Sequence, residues 1–183
     1  TVDGESRKIP VPFTVIATQN PVGSAGTQML PDSQLDRFMI CLSMGYPSHE
    51  DAIRILQGNA TKPINNVQGR LSVEDIVELR AKTNELYVRD EIYDYIVTLV
   101  ENTRTLEIFS AGASPRGTIA MLRMAKAMAV IDGRDYVTSE DVQNVVKDTL
   151  GHRVKLSARA KAQGMNIDAA MRQLLTQVAP PRC

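Results

Sequence analysis

From Ser48 onward, apolar residues recur three and four positions apart, and the recurrences open on helix-start signals. That pattern commits most of the chain to helices packed on helices, because a helix with one apolar stripe must bury it against another element. Three starts share the form Ser/Thr-x-x-Asp: Ser48 with Asp51, Ser72 with Asp75, and Thr138 with Asp141. In such a pair the hydroxyl accepts from an otherwise orphaned backbone N–H, and the carboxylate accepts from the cap's own N–H. After the first start, Ala52, Ile53 and Leu56 line one face until Gly58; after the second come Val73, Ile76, Val77 and Leu79. Residues 59–70 between them read as loop. A third helix opens at Asp90, with Ile92, Tyr95, Ile96, Leu99 and Val100 at helical spacing. A fourth opens at Ser114-Pro115, where the missing proline donor costs nothing. Its expected face is Ile119, Leu122, Ala125, Met128 and Ala129, ending at Gly133. The fifth, after Thr138, carries Val142, Val145, Val146 and Leu150. Residues 152–156 read as a short extended piece. Residues 167–178 read as a last amphipathic helix (Ile167, Met171, Leu174, Leu175, Val178), stopped by Pro180-Pro181.

The first part of the chain reads differently. Residues 11–18 are β-branched and apolar, the pattern of a strand buried on both faces. Gly23, Gly26 and Pro31 mark an irregular loop, and Asp32 to Phe38 is a short helix with Asp32 as its cap. Met39 to Met44 is a second buried-strand pattern, broken by Gly45-Tyr46-Pro47. The expected fold is therefore mainly α. Residues 1–46 are a fragment of an α/β core, two strands and a short helix, and residues 47–183 are a helical bundle. Strands without sheet neighbours expose apolar surface and free backbone groups. Residues 1–45 are accordingly expected to rearrange, to be disordered or to associate. Aliphatic side chains must fill the interior, since aromatics are 4% of the residues with no Trp, against eight Met.

Charge and cysteine usage remove several function classes. Net charge is zero, with 21 basic and 21 acidic side chains, and no basic stripe is interleaved with aromatics. Nucleic acid is therefore not an expected partner. Residues 151–183 carry six basic side chains and one acidic, which reads as a solvated tail. Cys41 and Cys183 make no disulfide framework, as suits a reducing cytoplasm. His49 and His152 lie far apart with no C-x-x-C beside them, so no metal site is expected. No signal peptide or membrane-length apolar run occurs, so stable membrane insertion is not expected. A chain opening at Thr1 rather than Met is expected to be a piece of a longer protein.

Three side chains stand out chemically. The run Phe13-Thr14-Val15-Ile16-Ala17 delivers Thr18-Gln19-Asn20-Pro21. An amide such as Asn20 at a strand end is placed to orient a water or a phosphate, although Asn-Pro also makes a plain turn. In Leu30-Pro31-Asp32-Ser33-Gln34-Leu35-Asp36-Arg37-Phe38, Arg37 has its base anchored between apolar neighbours while its head can project. The alternative is a surface ion pair worth about 0–1 kcal/mol. Arg116, in Ala113-Ser114-Pro115-Arg116-Gly117, opposes the helix dipole from the first turn. Breaking a local rule makes it a functional candidate rather than only a solvent-facing arginine. Asp36 is expected to orient Arg37. Arg134 and Arg153 read as turn and ion-pair residues, and His152 as a packed or capping histidine.

These segments, with Gly133 to Val142 and Leu150 to Arg153, resemble the MoxR family of AAA+ ATPases. The resemblance spans nearly the whole chain and is tightest over 13–38 and 113–153. The family's Gly-Thr-Tyr-x-Leu-Pro-Glu-Ala-Gln wording here reads Gly26-Thr27-Gln28-Met29-Leu30-Pro31-Asp32-Ser33-Gln34. The resemblance implies an ATP- and Mg²⁺-dependent ring, hexameric in many members, that remodels or matures client proteins, often beside von Willebrand factor A domain proteins. It implies that Asn20 is the sensor 1 group aligning water and Arg37 the finger reaching a neighbour's nucleotide. It implies that Arg116 is the sensor 2 arginine of the helical lid, contacting phosphate in its own subunit. No G-x-x-x-x-G-K-[ST] loop occurs anywhere. The phosphate loop and the Mg²⁺-holding acids are thus expected upstream, and this chain alone is expected not to hydrolyse ATP. Two rivals remain open: a non-enzymatic helical interaction module, and a related ring ATPase such as a magnesium-chelatase motor subunit or a helicase relative.

Overall fold

Ser114, Thr138, Ser157 and Asn166 each turn a side-chain oxygen onto a backbone N–H two or three residues on, and each begins a helix. The structure, a computed structural model, describes residues 3–19, 29–58 and 68–181. The chain divides into two units, Thr1–Phe13 with Leu42–Glu78, and Thr14–Cys41 with Leu79–Cys183.

In the first unit, Ser48 caps helix α2 (His49–Leu56), its Oγ accepting from the Asp51 N–H at 3.1 Å. The second expected start also forms. The Ser72 Oγ accepts from the Asp75 N–H at 3.0 Å, and the Asp75 carboxylate accepts from the Ser72 N–H at 2.7 Å. Helix α3 (Val73–Glu85) follows. None of the described residues of this unit is buried, so Ile53, Leu56, Val73 and Val77 keep their apolar surface exposed.

The second unit holds the core. Its elements are α1 (Asp32–Leu35), α4 (Asp90–Thr105), β1 (Phe109–Ala111), α5 (Pro115–Ile131), α6 (Ser139–Leu150), β2 (Lys155–Leu156), α7 (Ala158–Ala162) and α8 (Ile167–Gln177). Ile92, Tyr95, Ile96, Leu99 and Val100 of α4 are all buried, as are Val142, Val145, Val146 and Leu150 of α6. Met171 and Leu174 of α8 complete the interior. The short strands pair antiparallel, with Phe109 opposite Leu156.

Three local expectations are corrected. Helix α5 buries Gly117, Ala120, Met121, Ala125 and Ala129, whereas Ile119 is 53% exposed. Its most extensive packing is against α6, and its inward face is small apart from Met121, while Leu122 and Met128 pack against the core from partly buried positions. The cap of α1 is Pro31, with Asp32 the first helical residue and no side-chain cap bond. Neither strand-type run pairs. Residues 13–19 and 39–47 carry no strand, and Val15, Ile16, Leu42 and Met44 are exposed. A strand needs a ladder of a neighbouring strand's N–H and C=O groups, and no described strand lies beside these runs; the 39–47 run has single bonds instead, such as the Cys41 N–H to the Asp148 carbonyl. The fold class is mainly α, a helical bundle behind a short α/β fragment. No described helix is long and apolar enough to cross a membrane.

The capping box of α6 carries a buried charge. The Asp141 side chain is 3% exposed and accepts from both Nη atoms of Arg134. It also accepts from the Thr138 N–H at 2.8 Å. Burial pushes the Asp141 carboxyl up, but the Arg134 and Thr138 hydrogen bonds outweigh it and hold the group below its ordinary value. A carboxylate depressed in the fold stabilises above its unfolded pKa, about 3.9, and that stability is lost as pH falls through the folded value. Asp141→Asn should lower the urea unfolding free energy at pH 7 by about 2–3 kcal/mol, between the loss of a cap and the breaking of a buried pair. It should also flatten the loss of stability below about pH 4. An unchanged acid limb in the variant would assign that limb to other carboxylates.

Candidate functional site

The last turn of α1 sets the site. The Arg37 N–H donates to the Gln34 carbonyl and the Phe38 N–H to the Leu35 carbonyl, both at 3.0 Å, so the chain is still turning where Asp36 and Arg37 leave it. Asp36 is 25% exposed and has three polar neighbours. Ser114, the α5 cap, donates its hydroxyl to the carboxylate at 2.8 and 2.9 Å. Arg153 Nε donates at 3.2 Å, and Arg116 Nε lies 3.8 Å away. Asp36 was expected to orient Arg37; its carboxylate instead binds groups from α5 and from the end of α6. The reason is geometric: Arg153 is brought beside it by the fold and is 2% exposed, so the buried cation claims the nearest carboxylate.

Arg153 does more than pair. Its Nη2 donates to the Asp36 carbonyl at 3.1 Å and to the Phe38 carbonyl, and its Nη1 donates to the Met39 carbonyl at 3.2 Å and to the Thr149 carbonyl. Beside it, His152 Nε2 lies 3.1 Å from the Phe38 carbonyl. Burial, then the positive charge of Arg153, lowers the His152 pKa, so the ring is neutral at pH 7 and Nε2 is the donor. Burial also pulls Arg153 below its ordinary value, opposed by Asp36. A guanidinium remains charged regardless.

A cleft of about 200 Å³ opens beside this cluster, lined by Asp36, Arg37, Met39, Arg116, Ile119, Ala120, Arg123 and Arg153. Two of the three side chains singled out in the sequence, Arg37 and Arg116, thus share one cleft. The third, Asn20, lies outside the described residues. Arg123 was not anticipated, although its place seven residues after Arg116 puts it two turns further along the same face of α5. Four guanidinium groups face one carboxylate here. The side chains of Arg37 and Arg123 make no hydrogen bond or ion pair with the described residues. Guanidinium clusters of this kind suit the planar, multiply charged oxygens of phosphate groups. The same residues do not suit Mg²⁺. Asp36 is already engaged, and among the described residues no group of three or more His, Cys, Asp or Glu is placed to hold a metal ion.

Comparison with known proteins agrees with this chemistry. Residues 1–40 match the ATPase family associated with various cellular activities (AAA), and residues 101–174 match the AAA lid domain. The chain is 33% identical over 191 aligned residues to Chaperone MoxR1 of Mycobacterium tuberculosis, an alignment that covers 100% of this chain and 50% of that protein. The chain belongs to the MoxR-type AAA ATPases. This MoxR-type chain is also 38% identical over 182 residues to the uncharacterized protein YeaC of Bacillus subtilis, covering 99% of the chain and 57% of YeaC. The crystal structure of a candidate ATPase from Cytophaga hutchinsonii superposes with a TM-score of 0.86 at 32% identity, covering 100% of this chain and 58% of that one. The chain therefore spans about half the length of the curated relatives it matches.

Removing Asp36 tests the electrostatics. Asp36→Ala leaves Arg153 buried without its carboxylate, and the urea unfolding midpoint should fall by an amount equal to roughly 2–4 kcal/mol at unchanged slope. A loss under about 0.5 kcal/mol, the size of an ordinary surface change, would show that the pair contributes nothing.

Proposed function

We propose that this chain is the C-terminal part of a ring-forming ATPase that uses ATP hydrolysis to remodel or mature client proteins. Residues 1–46 end the nucleotide-binding core and residues 47–183 form the lid. The observation that carries the reading is that Arg37 and Arg116 line one cleft with excess positive charge. The cleft's three exposed guanidinium groups, those of Arg37, Arg116 and Arg123, fit a polyphosphate, and ATP supplies the phosphoryl group that passes to water. Arg37 and Arg116 grip the oxygens on which charge accumulates during transfer. Asn20 aligns the attacking water. Both arginines face one anion from one chain. If Arg37 reaches into a neighbour, Arg116 goes with it, in place of contacting phosphate within its own subunit. Mg²⁺ is held by residues elsewhere in the intact protein, as the phosphates are by a phosphate loop. The ring, a hexamer on the family pattern, works in the cytoplasm with a client or a von Willebrand factor A domain partner.

The test uses the full-length protein. Arg37→Ala and Arg116→Ala should each lower kcat by about 10²-fold or more. The double variant should fall no more than about tenfold below the worse single one, because groups acting on one phosphate are not additive. Fully multiplicative losses would place the two arginines at separate nucleotides. An intact protein without ATP turnover would favour the non-enzymatic helical module.

The 183-residue chain by itself should show only background turnover. Turnover that is abolished by Arg37→Ala would contradict this.

A further inference from the structure

The Arg37 side chain makes no hydrogen bond or ion pair with the described residues, yet the backbone on both sides of it is hydrogen-bonded to the end of α6. Three groups at and just beyond the end of α6 reach the segment around it: the Arg153 guanidinium, the His152 ring and the Asp148 carbonyl. Arg153 binds the Asp36 carboxylate and the carbonyls of Asp36, Phe38 and Met39. The His152 Nε2–H takes the Phe38 carbonyl. The Asp148 carbonyl accepts the Cys41 N–H at 2.9 Å. Arg153 also donates to the Thr149 carbonyl, which ties the same guanidinium to the last turn of α6. From the other side, the α5 cap Ser114 donates to Asp36. Residues 36–41 are thus fastened to the ends of two helices that themselves pack along their lengths. The channel for the Arg153 stem is kept open by Gly117 of α5. A Cβ there would stand 3.3 Å from Arg153 Cδ and 3.1 Å from Leu150 Cδ2.

We infer that Arg153 is a positioning residue for Arg37: the end of α6 grips the backbone on both sides of Arg37 and so sets where its guanidinium points. A single planar group with five donors suits this task, because it can hold one carboxylate and several carbonyls at fixed angles. A lysine keeps the charge but cannot make that fork. The inference rests on the reading of Arg37 as a phosphate-facing group. Its consequence is that any shift of the α5–α6 pair carries Arg37 with it, so the finger is adjusted by the helical bundle rather than by the segment that bears it.

The experiment combines hydrogen exchange and turnover in the full-length, assembled protein. Arg153→Lys should speed exchange of the Arg37, Phe38 and Cys41 amides at least tenfold and lower kcat by about tenfold or more, with little change in KM. In an Arg37→Ala background, Arg153→Lys should still speed exchange but lower kcat no further. Asp36→Asn, which removes the charge while keeping the shape, should give the same pattern and serves if Arg153→Lys does not fold. A kcat loss that persists undiminished in the Arg37→Ala background, or faster exchange with unchanged kcat, would overturn the inference. If Arg37→Ala alone leaves kcat unchanged, the phosphate-facing reading falls and the positioning role with it. The exchange data would then still report whether the clamp exists.

Discussion

Arg153 is a charged side chain with almost no access to water, and a buried guanidinium is tolerated only when it is paired and its donors are satisfied. Asp36 supplies the pair, and the carbonyls of Asp36, Phe38, Met39 and Thr149 take the remaining donors. This need fixes the position of a segment that has almost no regular structure of its own, since α1 is only four residues long. With that segment held, Arg37 comes to the same cleft as Arg116 and Arg123. The cleft is positive because the single carboxylate in it is already taken. The electrostatics of the candidate site and the anchoring of its backbone are two results of one ion pair.

The helical part was legible because its signals are local. A cap side chain, an acid three residues on and a periodic apolar face sit within one or two turns, and Ser48, Ser72, Ser114 and Thr138 cap or lead their helices as read. The expected face of helix α5 holds at Ala125 and Ala129, with Leu122 and Met128 packed against the core, and departs only at Ile119. Close contact with α6 prefers the smaller Gly117, Ala120, Ala125 and Ala129. The strand patterns at 11–18 and 39–44 failed for a different reason. A strand is completed by a partner, and the pattern says only that a partner would be welcome, not that one is present. Strands β1 and β2, at three and two residues, are too short to carry any period.

Of the site, Arg37 and Arg116 were legible as chemical candidates, one by its anchored base and the other by its conflict with the helix dipole. Their convergence on one phosphate is expected only from the family resemblance, not from either local sequence. Arg153 lies more than a hundred positions from Asp36, and nothing in either local sequence announces the other. The ion-pair reading of Arg153 holds, but its local sequence does not show that its partner lies in the segment that bears Arg37. Arg123 was signalled only by its seven-residue interval from Arg116. The proposed phosphate ligand has two separate supports, whole-chain similarity and a cleft in which three exposed guanidinium groups stand beside a carboxylate that is already paired.

In the proposed ATPase, one chain brings Arg37 and Arg116 to one phosphate. The most direct measurement is a crystal or cryo-electron-microscopy structure of the full-length, assembled protein with a non-hydrolysable ATP analogue. The guanidinium groups of Arg37 and Arg116 from the same subunit should both lie within hydrogen-bond distance of the terminal phosphate of a single nucleotide. Finding them on two different nucleotides, one in each neighbouring site, would contradict the claim.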